Sequence, residues 1–243
     1  MSAAVITGAG GAIGSAVVRR LVAQAVPVLA VDRDAETLAA LHEELGDLVV
    51  PHVADVTDPA QVEGYAAAAR EHWGTVDRFF NNAGVEGLVA PITDYPVDEF
   101  DRVLTINLRG IFLGLKYVLP VLADNGAVVN TSSSLGLVGA PGLGAYVTSK
   151  HGVVGITKVA ALEQAARGVR VNAVCPGPIA GRMINALEAA AFGDSGTTFA
   201  SFVPMGRHGT ADEVAAIVVW LMSPDASFVT GTAHAVDGAF TTA

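Results

Sequence analysis

The sequence predicts one α/β domain spanning residues 1–243: a parallel, doubly wound sheet of about seven strands with helices on both faces. Three observations carry this reading. Short apolar runs alternate with longer helical patterns along the whole chain. Most of those runs are rich in β-branched residues and lack polar alternation, as strands do when both sheet faces are covered. No linker, repeat or low-complexity tract breaks the series. Such strand–helix–strand alternation folds into right-handed crossovers on a parallel sheet.

The elements follow in order. AAVIT (3–7) opens the sheet, and a glycine-rich turn leads into a helix over 12–25. VPVLAV (26–31) is the second strand, followed by a helix over 35–45. DLVVPHV (47–53) is the third. Thr57-Asp58-Pro59 then supplies a capping residue and a first-turn proline for a helix over 59–73. VDRFFNNA (76–83) is the fourth strand, and a long helix is expected over 96–122. GAVVNTSS (126–133) and VRVNAVC (169–175) flank a helix over 144–166. Thr210-Ala211-Asp212 starts a helix over 211–222, and TAHAVD (232–237) closes the sheet.

Composition narrows the partners. Hydrophobic residues make up 51% of the 243, charged residues only 16%, and mean hydropathy is +0.48. The longest uninterrupted apolar run, 214–222, is far short of the ~20 residues of a membrane span. Net charge is −10 and no Lys/Arg cluster appears, so nucleic acid and anionic membrane surfaces are poor partners. The opening residues lack a basic segment followed by an apolar core and a cleavage site, so a cytoplasmic protein is expected. The single cysteine, Cys175, sits in an apolar run and reads as a small buried hydrophobe. His42, His52, His72, His151, His208 and His234 are scattered without metal-ligand spacing, and no metal is expected. A Ser-His-Asp hydrolase would need a G-x-S-x-G turn, which the chain lacks.

The strongest local signal is VITGAGGAIGSAVVRRL. Glycines at 8, 10, 11 and 14 let the backbone turn tightly between a strand and a helix whose free N–H groups suit a pyrophosphate. Gly8, Gly11, Ile13 and Gly14 are therefore candidate cofactor contacts. Asp32 ends the second strand, 24 positions after Gly8, where an acid accepts hydrogen bonds from the adenine ribose hydroxyls. Its charge would repel a phosphate there, which predicts NAD over NADP. Arg33 could swing toward such a phosphate and is the counter-signal. Tyr146 and Lys150, in AYVTSK, share one helix face at i and i+4. By spacing alone they are either a solvated pair or a phenol and an ammonium aimed at one proton.

These motifs together resemble the short-chain dehydrogenase/reductases over essentially the whole chain, and with them a Rossmann-type fold. Thr7, Gly8 and Gly14 match the family's T-G-x-x-x-G-x-G, with Ala12 in place of its middle glycine. Asp55-Val56 matches its D-V pair, Asn81-Asn82-Ala83-Gly84 its N-N-A-G, Tyr146 and Lys150 its Y-x-x-x-K, and Pro176-Gly177 its P-G. The resemblance implies Ser133, thirteen residues before Tyr146, as the catalytic serine, and Asn107 in TINLRG as the catalytic asparagine. By chemistry alone Ser132 and Ser134 are alternatives. It further implies that Asp55 and Val56 hold the adenine, that Asn82, Ala83 and Gly84 line the cofactor near its ribose, and that the Ile179 backbone meets the carboxamide. The family often has a threonine two positions later, where this chain has Gly181.

The implied reaction moves a hydride between NAD(H) and a secondary alcohol or ketone, with Tyr146 as general acid/base. Lys150 is expected to lower the tyrosine pKa, and Asn107 to act through its backbone on a proton-relaying water. A lid over 180–208 should cover the substrate. Met183, Leu187, Phe192, Phe199, Phe202 and Met205 in the lid, with Leu135, Val138, Leu143 and 85–89, either line an apolar pocket or pack the lid. An NADPH-dependent 3-oxoacyl-carrier reductase and a non-catalytic dinucleotide-sensing scaffold are the competing readings. The resemblance also implies a homotetramer, pairing the helices at 96–122 and 144–166 across one interface and the last strand across another.

Overall fold

A computed structural model of the chain describes residues 3–193 and 195–242. Seven strands form one parallel sheet: β1 (Ala4–Thr7), β2 (Val28–Asp32), β3 (Val49–Val53), β4 (Val76–Asn81), β5 (Leu122–Thr131), β6 (Arg170–Pro176) and β7 (Ala233–Val236). Their spatial order is β3-β2-β1-β4-β5-β6-β7. The winding reverses between β1 and β4, so the crevice at the carboxyl ends of those strands is the expected ligand site of such a sheet.

Two apolar layers cover the sheet. On one face α1 (Ala12–Val22), α2 (Ala35–Leu45) and a late helix, Ala211–Leu221, contribute Val17, Leu21, Leu38, Leu41, Val214 and Val218 to the core. On the other, α3 (Pro59–Trp73), a broken central helix and Gly144–Gln164 contribute Val62, Tyr65, Ile111, Val118 and Val153. Strands β1, β2 and β6 and the carboxyl-terminal parts of β4 and β5 are buried on both sides, which explains their unbroken apolar sequence, whereas the edge strands β3 and β7 are partly exposed. The caps read from the sequence form: Asp58 accepts from Ala60 N with Pro59 in the first turn, and Thr210 builds a capping box with Glu213.

The helix expected over 96–122 is not continuous. α4 (Val97–Leu104) passes into a π-helical turn, Thr105–Arg109, before α5 (Gly110–Val118) and a final 3-10 turn, Leu119–Val121. Strand β5 then starts at Leu122, which pairs with Val76 across a register shift, four residues ahead of the expected start. Taken together, Val97–Val121 is long and apolar enough to cross a membrane by length and composition. Here Ile111, Leu115 and Val118 pack it against the sheet. The remaining helices are α6 (Gly144–Gln164), α7 (Arg182–Phe192) and α8 (Ala211–Leu221), of which α7 lies inside the segment read as a lid.

Candidate active site

The carboxyl ends of the strands open into a cleft of about 1030 Å³. Gly8, Gly11, Ile13, Asp32, Arg33, Asp55, Val56, Asn82, Ala83, Gly84, Ser133, Tyr146, Lys150, Pro176, Gly177 and Ile179 all line it. Asn107 and Gly14 stand behind that lining and shape it.

The glycine loop is a cradle that side chains would fill. Gly8 has φ +64°, and a Cβ there would lie 3.0 Å from Ala83 Cα. A Cβ on Gly14 would run into the Gly8 carbonyl, so the helix can approach the loop only without one. Helix α2 is capped by Asp34, α3 by Asp58 and α8 by Thr210, whereas Gly11 leaves α1 without a side-chain cap or a first-turn acid. Its amide donors face the cleft, a set that fits a pyrophosphate. Ala12 takes the first helical position, so its methyl meets no left-handed backbone. Gly181, across the cleft, has φ +147°, where the family's threonine would be strained. The two departures from the family pattern face each other: a Cβ built on Gly181 lies 3.8 Å from the Ala12 methyl.

Asp32 Oδ2 accepts from Gly10 N at 2.9 Å, and Oδ1 accepts from Asp34 N at 3.2 Å. A carboxylate has about four acceptor sites, so ribose hydroxyls can still be received. Arg33 is exposed at the same rim. Asp55 Oδ1 accepts from the Thr57 amide and hydroxyl, each at 2.8 Å. Asn82 ties three strand ends together: its Nδ2 donates to Thr7 O and Gly8 O, and its Oδ1 accepts from Thr131 Oγ1 at 2.9 Å. The nicotinamide dinucleotide that the motifs imply therefore meets uncapped amides, a glycine cradle and an acid at the ribose end, and the residues fit it.

On the other wall, α6 carries Tyr146 and Lys150 on one face. Lys150 is buried, donates to Thr131 O at 3.0 Å and stands 5.6 Å from the centre of the Tyr146 ring. Burial pulls its ammonium down to about 8. Burial also pushes the Tyr146 phenol above its ordinary value; hydrogen bonding with Ser133 pulls it down, and the charges of Glu86 and Cys175 add to the rise. The lowering expected from Lys150 does not appear at the phenol: burial sets the direction, and the one downward influence is Ser133.

The three serines separate by their partners. Ser132 donates to Lys150 O at 2.8 Å and is spent on the α6 backbone. Ser134 is buried at the start of a 3-10 turn. Ser133, whose hydroxyl accepts from Leu135 N at 3.1 Å, is the one that reaches Tyr146. Asn107 sits in the π-helical turn, fully buried. Its side chain clamps Val85, accepting from the amide and donating to the carbonyl at 2.8 Å each, and also donates to Ser149 Oγ at 3.2 Å. With its side chain engaged in this way, only the backbone of Asn107 is left to act elsewhere. π-turns inserted in α-helices cluster at functional sites, and this one sets the loop after β4 in place.

The apolar candidates divide. Met183, Leu187, Phe199, Leu135, Leu143 and Val85 line the cleft. Phe192 meets Phe199 edge-on at 4.9 Å and stacks on Phe202 at 6.0 Å, packing the lid on itself, and Met205 faces a smaller second cavity. Sequence reasoning missed Thr131, which holds Lys150 and Asn82 together, and Phe240, which reaches the cleft from the C-terminal segment. Thr131 lies two residues before Ser133 in the fifth strand, and that position was its only signal. Among the described residues no three His, Cys, Asp or Glu side chains converge as a metal site.

Comparison with known proteins identifies the relatives of the whole chain. A family model described as enoyl-(acyl carrier protein) reductase matches residues 8–241. The chain is 41% identical to levodione reductase of Leifsonia aquatica, over 96% of this chain and 91% of the relative. It is 37% identical to cyclohexanol dehydrogenase of Acinetobacter sp. (strain SE19), over 98% and 94%. A crystal structure of levodione reductase superposes with a TM-score of 0.95 at 38% identity, covering 100% of this chain and 98% of that one. NAD+-bound xylitol dehydrogenase gives 0.91 at 34% identity, covering 98% of each chain.

Proposed function

The chain belongs to the short-chain dehydrogenase/reductase family and is an oxidoreductase that uses a nicotinamide cofactor; from that premise we propose that it interconverts hydrophobic secondary alcohols and ketones with NAD(H). The observation that carries this reading is the position of Tyr146, Lys150 and Ser133 on one wall of a cleft whose other wall is the glycine cradle and Asp32. A bound nicotinamide supplies or accepts the hydride. The chain's own residues handle the oxygen. Ser133 orients the substrate oxygen and stabilises charge developing on it. Tyr146 takes the alcohol proton or gives one to the ketone. Lys150, held by Thr131, keeps positive charge beside the phenol and reaches the nicotinamide ribose. Asn107 holds Val85 and thereby the wall facing Tyr146. Asp55, Val56, Asn82, Ala83 and Gly84 hold the nucleotide, and Pro176, Gly177 and Ile179 its nicotinamide end.

NAD is preferred because Asp32 places a carboxylate where NADP would bring a phosphate, while Arg33 lies exposed and oriented by no ion pair among the described residues. Replacing Asp32 with Ala should narrow the ratio of kcat/KM for NAD over NADP by about tenfold or more; an unchanged ratio would remove Asp32 from the selection. The substrate lid spans 180–208, of which Asp194 lies outside the described residues. A homotetramer is supported by exposed apolar residues on the faces the family pairs: Phe112 on α5, Val159 and Leu162 on α6, Trp220 on α8, and Phe228, which is fully exposed. Light scattering that gave a monomer would refute it.

The test of function is absorbance of the reduced cofactor. Purified protein is mixed with NAD+ or NADP+ and a panel of secondary alcohols, and the reverse panel of ketones and a short 3-oxoacyl thioester is run with NADH and NADPH. Turnover of simple alcohols and ketones with NAD(H) is expected. Preference for NADPH and the thioester would replace this reading with a carrier-protein reductase. No turnover, with cofactor still bound, would leave the scaffold reading.

A further inference from the structure

The segment after β7 brings an aromatic ring into the cleft by a route of its own. Phe240 lines the cleft, although it belongs neither to the cofactor loops nor to the lid. The order of the sheet places it. Asp32 ends β2 and Asp55 follows β3, so the acids read as adenine-end contacts lie over one edge of the sheet, and β7 is the opposite edge. Ser133 follows β5 and Gly177 follows β6, so the segment after β7 stands beyond both. Its bonds agree with that position. Gly177 N donates to Val236 O at 3.0 Å, and Met205 N, near the close of the lid, donates to Gly238 O at 3.3 Å. Phe240 therefore enters the cleft at its substrate end, between the loop 176–179 and the lid.

The ring is held by its own backbone. Asp237 spends both carboxylate oxygens on the residues flanking it. Oδ1 accepts from Ala239 N at 3.0 Å, and Oδ2 accepts from Thr241 N at 3.0 Å and from Thr241 Oγ1 at 2.7 Å. Phe240 N itself donates to Asp237 O at 3.2 Å. Asp237 is seated in turn against Gly177, where a Cβ would come within 2.7 Å of Asp237 Cα. Ala239 has φ +72°, a left-handed conformation that an alanine keeps only where its surroundings impose it. Strained backbone of this kind gathers at ligand sites. The core does not account for the ring: among the described residues, neither apolar layer of the sheet includes Phe240.

We propose that Phe240 is a specificity-determining residue: its ring is a fixed end wall that limits the length of the apolar group on the reacting carbon, so that compact secondary alcohols and ketones are preferred over long straight-chain ones. The proposal rests on the reading of the cleft as a secondary-alcohol site. Met183, Leu187 and Phe199 also line the cleft, but they belong to the lid, which packing holds and which can shift around a larger group. Phe240 has no such freedom, because moving it breaks the bonds to Asp237. A substrate chain gains with each methylene it buries until it meets the ring. The next methylene overpacks a wall that does not yield.

The experiment compares cyclohexanol with the straight-chain 2-alkanols from butan-2-ol to decan-2-ol in the wild type, Phe240→Leu and Phe240→Ala. Two readouts are taken: kcat/KM with NAD+, and calorimetric binding of the same alcohols to the NADH-loaded proteins. In the wild type kcat/KM should climb by roughly fourfold per methylene and then break off, falling by about 10-fold or more at the first chain that reaches the ring. Phe240→Ala should move the break to longer chains and raise the ratio of decan-2-ol to cyclohexanol by about 10- to 100-fold, with Phe240→Leu in between. The dissociation constant for NADH should be the same in all three proteins. A break at one chain length in all three, or no break in the wild type, would overturn the proposal. NADH binding that weakens in step with loss of the ring would also overturn it, by making Phe240 a cofactor contact. If no alcohol turns over in any protein, the secondary-alcohol reading fails by itself. The break in calorimetric binding then still decides for or against Phe240, and alcohols that bind none of the three proteins overturn both. Melting curves establish that each variant is folded, and Phe240→Leu serves if Phe240→Ala is not.

Discussion

The two sides of the cleft are built by different means. The cofactor side is a set of strand ends locked by one-to-one hydrogen bonds, in which Asn82 holds Thr7, Gly8 and Thr131, and Thr131 in turn holds Lys150. The lid side is held mainly by packing. Phe192 gathers Phe199 and Phe202, and one carboxylate, Glu188, receives the Phe199 amide at 2.6 Å and His208 at 2.8 Å. The first arrangement tolerates almost no change, because backbone atoms and single donors have no substitutes. The second can shift and repack. Catalysis and cofactor binding should therefore fail sharply on substitution of the first side, whereas changes to the second should grade substrate preference.

The largest effect is expected at the chemical centre. Tyr146→Phe removes the proton donor and acceptor but leaves the ring against its neighbours, so turnover should fall by about 10²–10⁴-fold while NADH binding stays near normal. Near-normal turnover in that variant would sink the proposed chemistry. Gly14→Ala comes next and breaks the cofactor side by geometry alone. The added methyl meets the backbone of Gly8 and Ala9, none of which can rotate away. A loss of about 1–3 kcal/mol in stability is expected, together with weakened NADH binding. If melting and NADH titration both match the wild type, the close approach of α1 to the loop is not what the site depends on.

A lid change should do less and do it elsewhere. Glu188→Ala removes two hydrogen bonds that join α7 to the turn Phe199–Phe202 and to His208. About 1–2 kcal/mol of local stability is at stake, and the segment can open without unfolding the sheet. The expected signature is a raised KM for substrate with an unchanged dissociation constant for NADH. If instead NADH binding weakens as much as substrate binding, the two sides of the cleft are coupled and the contrast drawn between them is wrong.

The same contrast governs what could be read from the sequence. The cofactor side writes itself into the chain because its function needs particular residues at fixed spacings: glycines where a Cβ would collide, Asp32 at a strand end, Tyr146 and Lys150 one turn apart. The lid side left only apolar letters. Phe192 and Phe199 are the same residue type in the same segment, yet Phe199 lines the cleft and Phe192 packs beneath it. Orientation separates them, and composition carries no orientation. The break at Asn107 was hidden for another reason: TINLRG has sound helical periodicity, and the π-turn arises from a contact to Val85, 22 residues back. Thr131 was missed because its service to Lys150 is through a backbone carbonyl, which every residue has.

The smallest predicted effect lies where the two sides meet, at Glu86, and its sign follows from the charges around Tyr146. Burial raises the phenol first, hydrogen bonding with Ser133 lowers it, and Glu86 and then Cys175 raise it further. Alcohol oxidation needs the phenolate beside a charged Lys150. Lys150 is held to about 8 by burial and the phenol is raised above its ordinary value, so the lower, rising limb of kcat/KM follows Lys150 and the upper, falling limb follows the phenol. Glu86→Gln removes an anion that opposes phenolate formation, so the falling limb should move to lower pH and the plateau before it should rise. The rising limb should stay in place, since Lys150 answers to burial and to Cys175 but not to Glu86. In ketone reduction the same substitution should cost activity at the high-pH end, because the neutral phenol is then the required form. The displacement is modest because Glu86 ranks behind burial and Ser133. A pH profile in which both limbs move together would mean that Glu86 acts on the pair through the fold. A falling limb displaced alone would place its carboxylate in direct electrostatic contact with the base.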